Sequence, residues 1–445
     1  MASIAIEEKL AQPALADKSM MTKVVVSSFI GNTIEFYDFL VYGLAAALVF
    51  GKVFFPNSTP LAAILASFAT FGVGFVARPL GGIFFGHLGD TVGRKKTLVI
   101  TLVGMGTATS LIGLLPTYDQ IGVLAPVLLV ILRFLQGFAV GGEWGGAMLI
   151  VVENAPANRR GFFSAWPQTG GFSGQLLATG AFTLVGFLPD DQLLSWGWRL
   201  PFLASAILVA FGLYLRSKLD ETAVFKQTQA QAKSQEPHPA PFVEVFSKSW
   251  RSLLLIMLLR FAESVPFFLV TVFAVSYATG QLGVPKQTLL NVIMVTCLIA
   301  FPAHGFFGAL SDKVGRRPIY IFGALFAAAS AFPFFYLLQT GNMLLIALGY
   351  VLLINVAHNS INAVQPSFFT ELFGARVRYS GASIGHQFGA IVAGGATPFV
   401  AKSLSAADGN GWTYVAAYVV VGALVSALAA YFGPETSKRI LTETR

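Results

Sequence analysis

Charge is what this sequence has least of. Asp, Glu, Lys and Arg make up only 11% of its 445 residues, against about a quarter in soluble domains. That deficit excludes an ordinary soluble protein. Cysteine is nearly absent too: Cys297 stands alone in an apolar run, which leaves no disulfide framework and no thiolate metal cluster. The five histidines fall at no metal-binding spacing, so neither a metal nor a cofactor is expected. There is no basic leader with a cleavage site, and residues 1–23 read as a retained tail. Enzyme signatures are missing as well: no GxSxG, HExxH or GxGxxG occurs in a strand–turn–helix setting. The glycine-rich GGEWGGA at 141–147 has no P-loop lysine. An enzyme is therefore not expected, and without an ATP site any uphill movement has to draw on an ion gradient.

What is present is apolar. Hydrophobic residues make up 55% of the chain, mean hydropathy is +0.70, and there are 41 phenylalanines and 45 glycines, a composition suited to packed helices in lipid. Windows long enough to cross the roughly 30 Å hydrocarbon core fall at 24–50, 61–88, 97–116, 121–152, 161–188, 198–216, 251–279, 288–310, 318–338, 343–371, 379–401 and 412–432. They predict an all-α polytopic membrane protein of twelve spans. The polar insert 217–250 divides it into six-helix bundles at 24–216 and 251–432, and 433–445 forms a C-terminal tail. Of the 29 lysines and arginines, Lys52, Arg199, Lys286 and Lys402 fall on one side, and Arg78, Arg133 and Arg260 fall within spans. All the others lie on the opposite side. By the positive-inside rule that side is cytoplasmic and holds both termini. The formal net charge of +8 then belongs to these loops and not to a nucleic-acid surface.

A repeat half the chain long is visible. Gly86 to Lys96, GHLGDTVGRKK, follows span 2, and Gly308 to Arg317, GALSDKVGRR, follows span 8. Glu153 with Arg159 and Arg160 after span 4 answers Glu371 with Arg376 and Arg378 after span 10. Glu221-Thr222 after span 6 answers Glu435-Thr436 after span 12. Transporters are commonly built from such repeats, rocking about a midplane site. A purely topogenic loop would need the bases but not the glycines or Asp90 and Asp312. The preferred reading is an ion-pair gate formed by Asp90, Arg94, Glu153, Asp312, Arg316 and Glu371, with Gly86 and Gly308 letting neighbouring helices touch.

Ionised groups inside spans are costly, which makes them functional candidates. Span 1 carries Glu35 and Asp38 at i, i+3, on one helix face, with Tyr37 and Tyr42 close by. The acids either handle protons or pair with arginines to hold helices together. Arg133 in span 4 cannot discharge itself, so Glu35, Asp38 or Glu143 is its expected partner, with Gln136 on its face. In span 7, Arg260 and Glu263 are spaced as an embedded ion pair, which either holds the helices together or meets substrate, Arg260 with Arg133 attracting a carboxylate. Span 10 places Asn355, Asn359 and Asn362 at i, i+4, i+7 beside His358, a stripe for substrate hydroxyls or for interhelical hydrogen bonds. Gln168 in span 5 and Gln387 in span 11 complete the candidate substrate contacts. Arg78 is assigned to packing or gating, and His87 and His304 to loop or packing roles.

The two glycine-aspartate-basic loops resemble the loop signature of the major facilitator superfamily, with Thr91 where the first copy usually has a base. The stretch Arg133 to Gly142 is similar to the superfamily's span-4 motif, which is associated with proton coupling. GNTIEFYDF at 31–39, RFLQGFAVGGEWGGA at 133–147 and SWGWRLPF at 195–202 narrow the resemblance to the metabolite:proton symporter family. It implies a bacterial inner-membrane carrier, working as a monomer, that imports a small hydroxylated organic anion with protons by alternating access. Glu35, Asp38 and Arg133 would couple the proton, and spans 1, 4, 7 and 10 would line the cavity. The alternatives are a zwitterionic osmolyte symporter, a proton-driven exporter and a non-transporting membrane sensor.

Overall fold

The computed structural model describes residues 18–232, 240–409 and 411–441. Most of the tail 1–23, the Pro237-His238-Pro239 break in the insert and residues 442–445 lie outside the described residues. The described chain is helical, with no strand in it. Lipid imposes this, because it offers no partner for a free N–H or C=O and a helix satisfies both internally.

Among the described residues eleven helices are long and apolar enough to cross a membrane: Ser19–Phe54, Leu65–Thr91, Arg94–Leu114, Leu124–Asn154, Arg199–Ser217, Trp250–Gly280, Gln287–Val314, Arg316–Gln339, Met343–Glu371, Arg378–Ala407 and Thr413–Phe432. These are spans 1–4 and 6–12. Span 5 comes in two pieces, Arg160–Gln168 and Gly170–Val185, each too short alone. The break follows Pro167, which brings no N–H to the helix. Asn32 of span 1 donates to the Pro167 carbonyl at 2.8 Å, and the Thr169 hydroxyl donates to that of Trp166 at 2.7 Å. The boundaries follow local capping. Thr59 caps span 2, with Pro60 in its first turn, and Asn342 caps span 10 through the N–H groups of Leu344 and Leu345.

Four spans carry a wide π-helical turn: Ala46–Phe50 in span 1, Leu269–Phe273 in span 7, Val351–His358 in span 10 and Ala390–Gly395 in span 11. A fifth, Leu193–Gly197, leads into span 6. The i→i+5 bonding of such turns rotates the side chains beyond them.

Three large apolar clusters organise the interior. One, within the first half, is built on Tyr42, Phe50, Phe54, Trp198 and Phe202. A second centres on Phe334, Phe335, Tyr350 and Trp412 in the second half. The third joins the halves, setting Trp144, Met148 and Ala165 among Ile256, Phe307, Tyr320, Ile361 and Phe369. Outward-facing side chains such as Phe187, Ile207, Leu344, Phe399 and Phe432 are more than 70% exposed, an apolar surface only lipid would cover.

Candidate functional site

In the first half, Arg133 is buried in the middle of span 4. Its guanidinium lies over the Tyr42 ring at 4.2 Å and the Phe71 ring at 4.9 Å, and it donates to Gln136 Oε1. Gln136 Nε2 donates to Thr109 Oγ1 at 2.7 Å. Thr109 reaches Asp38 Oδ2 at 2.7 Å, and Ser205 reaches the other Asp38 oxygen at 2.6 Å. Arg133 and Asp38 are thus joined through two neutral side chains. Glu35 lies 4.0 Å from Arg78, and its second oxygen is buried without a partner. Arg133, Gln136, Asp38, Glu35 and Arg78 line one small cavity together with Phe39 and Val140.

Three sequence expectations need correction here. Arg133 meets none of its expected carboxylates; Glu143 is taken by Arg216 and by Thr101, whose hydroxyl donates at 2.7 Å. Arg216, counted by its position among the cytoplasmic bases, is buried and fully engaged, because the span-6 helix carries it back over Leu98 and Glu143. Arg78, assigned from the sequence to packing or gating, lines the cavity beside Glu35. Tyr37 turns away, donating to the Pro201 carbonyl at 2.7 Å in the first-half core, while the Tyr42 hydroxyl donates to Thr70 at 2.6 Å. An embedded acid demands a partner, so the need for Arg216 was readable from Glu143, but which base answered it was not.

In the second half, Arg260 and Glu263 form the expected pair at 2.7 Å. Arg260 also donates to Gln365 at 3.1 Å. Glu263 accepts from Ser264 at 2.7 Å and faces His358 Nε2 and Asn362 Nδ2, each at 3.5 Å. The amide stripe of span 10 is divided. Asn359 donates to Asn355 at 2.8 Å and contacts His358 Nδ1 at 2.8 Å, whereas Asn362 turns to Glu263 and to His304 Nε2, 2.9 Å away. The π-turn ending at His358 shifts the register, which an ideal i, i+4, i+7 count does not foresee. His304, expected only to pack, belongs to this network. Gln168 carries it across the halves by donating to the Asn362 carbonyl at 3.2 Å and accepting from Trp144 Nε1 at 2.9 Å. Gln387 donates to the Gly141 carbonyl at 3.3 Å, and His386 stacks on Trp144 with centroids 3.7 Å apart.

At the basic-loop end the repeat becomes two matching clusters. The Asp90 carboxylate accepts from the N–H groups of Tyr379 and Ser380 at 3.2 and 2.8 Å, at the start of span 11. Asp312 accepts from those of Gly161 and Phe162, both at 2.8 Å, at the start of span 5. Each aspartate thus sits at the positive end of a helix of the other half. Arg94 lies 3.2 Å from Asp90 and 3.6 Å from Glu153, which also holds Arg378 at 3.4 Å. Arg316 lies 2.8 Å from Asp312 and 3.4 Å from Glu371, which faces Arg160 at 4.0 Å.

The faintest repeat completes these clusters. Thr222 donates to Glu153 at 2.6 Å and Thr436 to Glu371 at 2.7 Å. Glu221 accepts from the N–H groups of Arg94 and Lys95, and Glu435 from those of Arg316 and Arg317. Gly93 and Gly315 hold φ of 132° and 106°; a Cβ there would also come within 2.4 and 2.5 Å of the Glu221 and Glu435 carboxylates. Burial raises the Glu435 carboxyl, but the N–H groups of Arg316, Ser437 and Arg317 outweigh it and hold it below its ordinary 4.5.

The sequence matches the model of the Major Facilitator Superfamily over residues 29–395. It is 44% identical over 416 residues to the shikimate transporter of Escherichia coli (strain K12), covering 93% of this chain and 94% of that one. Identity to the proline/betaine transporter of the same organism is 36% over 437 residues, covering 96% and 86%. Among solved structures, the proton:xylose symporter XylE of E. coli, bound to 6-bromo-6-deoxy-D-glucose, superposes with a TM-score of 0.73 at 19% identity, covering 96% and 98%.

Proposed function

The chain belongs to the Major Facilitator Superfamily and is a membrane transporter, and on that premise we propose that it imports a small hydroxylated organic acid together with protons. The observation that carries this reading is Arg133. It is a buried guanidinium on the wall of a cavity, with its Nε unpartnered and no carboxylate of its own. Such a group binds a carboxylate strongly, with two parallel bonds where geometry permits. The polar surface of span 10, with His358, Asn359 and Asn362, would meet the hydroxyls, and Arg260 and Glu263 would hold that wall in place. The shikimate relative supports this class of cargo. A second reading, a zwitterionic osmolyte, draws on the unpartnered oxygen of Glu35, on the Phe39 ring lining the cavity, against which a quaternary ammonium would be at home, and on the proline/betaine relative.

Asp38 is the coupling group in this proposal. Protonation would loosen its hold on Thr109 and Ser205 and, through Gln136, free Arg133 for substrate. Glu35 would exchange with the same cavity. In this reading the two aspartate-arginine-glutamate clusters form the gate, and their end of the molecule faces the cytoplasm. The bundles 24–216 and 251–432 rock about the cavity, with 217–250 as their link, in a monomer seated in a bacterial inner membrane.

Reconstitution into proteoliposomes with an imposed proton gradient tests the reading. Shikimate is expected to accumulate in preference to glycine betaine. Asp38→Asn should abolish accumulation while leaving shikimate counterflow, which moves no net proton. Accumulation of betaine alone establishes the second reading, and undiminished accumulation by both Asp38→Asn and Glu35→Gln refutes the coupling assignment.

A further inference from the structure

We propose that the short helix Pro241–Lys248, ahead of span 7, is a docking surface for a phospholipid bilayer rich in anionic headgroups, strapped across the seam between spans 2 and 11. The helix has two unlike faces. On the inner one, Glu244 and Val245 are buried. The Phe242 ring meets His87 of span 2 edge-on, with centroids 5.7 Å apart. Glu244 pairs with Arg376 in the loop before span 11. This face therefore holds on to both halves of the molecule.

The outer face is apolar and open. Val243 and Phe246 on the short helix are 44% and 45% exposed, and Trp250 and Leu254 at the start of span 7 are 51% and 46% exposed; within each helix the two are three or four residues apart and share a face. Exposed apolar side chains thus continue across the joint at Ser249, from the short helix onto the start of span 7. That continuity identifies its occupant, because the surface covering Leu254 on a membrane span is lipid. Charge identifies the kind of lipid. Lys248, 67% exposed although its ammonium lies 3.8 Å from Glu244, and Arg251, whose guanidinium lies 5.5 Å from the Trp250 ring, stand beside these apolar side chains. The one acid of the short helix, Glu244, points inward. Aromatic and aliphatic anchors flanked by cations are the pattern of helices lying at a membrane surface, and each cation there strengthens attachment to an anionic surface roughly fivefold.

Attachment has a mechanical consequence. Spans 2 and 11 touch so closely that a Cβ on Gly86 would lie 2.7 Å from the Ser380 Cα, and a helix gripping both must release one when that seam parts. Anionic lipid would therefore hold the seam shut. This consequence rests on the alternating-access reading; the docking itself does not.

The test places a nitroxide through Val243→Cys in a Cys297→Ser chain, with Phe246→Cys as a second reporter position, in phosphatidylcholine vesicles with and without phosphatidylglycerol. With phosphatidylglycerol present, collisions with lipid-soluble oxygen should exceed those with an aqueous nickel chelate several-fold. Lys248→Gln combined with Arg251→Gln should remove the dependence on phosphatidylglycerol. Nickel-accessible labels at both positions in both membranes overturn the docking, and lipid-buried labels indifferent to headgroup charge and to both cations overturn its anionic character. Failure of shikimate transport alongside the expected label result would sink the substrate reading and leave the docking standing.

Discussion

The two ends of the repeat relationship behave differently. At the basic-loop end the halves set corresponding residues in corresponding places: Asp90 with Asp312, Arg94 with Arg316, Glu153 with Glu371, Glu221 with Glu435. In the membrane interior they part company. The first half keeps Arg133 and Asp38 apart, linked through Gln136 and Thr109, while the second half closes Arg260 directly onto Glu263 at 2.7 Å. Symmetry is retained where two surfaces must meet in the same way, and lost where chemistry has to be done. An ion pair already made is a structural element; a guanidinium and a carboxylate held apart keep their affinity for something else.

The sharpest way to break this contrast is to neutralise one arginine in each half. Arg260→Gln strands Glu263 as a buried charge and should cost about 3–5 kcal/mol of stability, read as a lowered unfolding temperature in detergent. Adding Glu263→Gln should recover most of it. Arg133→Gln strands no carboxylate, since Asp38 keeps Thr109 and Ser205, and should leave stability nearer to wild type. Its loss should appear in shikimate affinity, about 2–5 kcal/mol for a buried charged contact, measured by equilibrium binding. Equal destabilisation by the two substitutions would erase the distinction between the halves.

The matching clusters make a smaller and symmetric prediction. Asp90→Asn and Asp312→Asn each weaken a cap on a helix of the opposite half, so each should shift the closed-to-open balance by about 1–3 kcal/mol. Labelling of single cysteines at the loop ends of spans 4 and 10 should rise alike in both variants. A response from only one would mean that the copies are alike in geometry but not in load.

The smallest effect concerns acid. Because its N–H donors hold Glu435 below the usual carboxylate value, its contribution to stability is complete above the unfolded-state pKa and fades as pH falls through the folded one. The carboxylate is partly open to solvent, so the effect should be slight. The unfolding temperature should drop a little less on acidification in Glu435→Gln than in wild type, and identical pH profiles would remove Glu435 from the acid response.

Much of this was legible beforehand, and for definite reasons. Helices were, since long apolar runs in a charge-poor chain have one solution in lipid; only span 5 departed from a single rod, at Pro167. The Arg260–Glu263 pair was legible because i, i+3 neighbours on a helix meet whatever surrounds them. Even the faint pairing of Glu221-Thr222 with Glu435-Thr436 pointed to the right loops, although not to their caps on the helices that begin at Arg94 and Arg316.

What the residues alone determined is thus whatever depends on composition and on short spacings: a helical membrane chain, its repeat, and the short list of charges that must find company. Which company they found was decided by the tertiary structure. Arg216 rather than Arg133 took Glu143, Arg78 came to stand 4.0 Å from Glu35, and His304 joined a network that no local pattern announced. Partners on different spans are brought together by helix rotation and tilt, and a single π-turn before His358 is enough to redirect an amide stripe. A buried charge states its need locally, but long-range packing chooses what meets it.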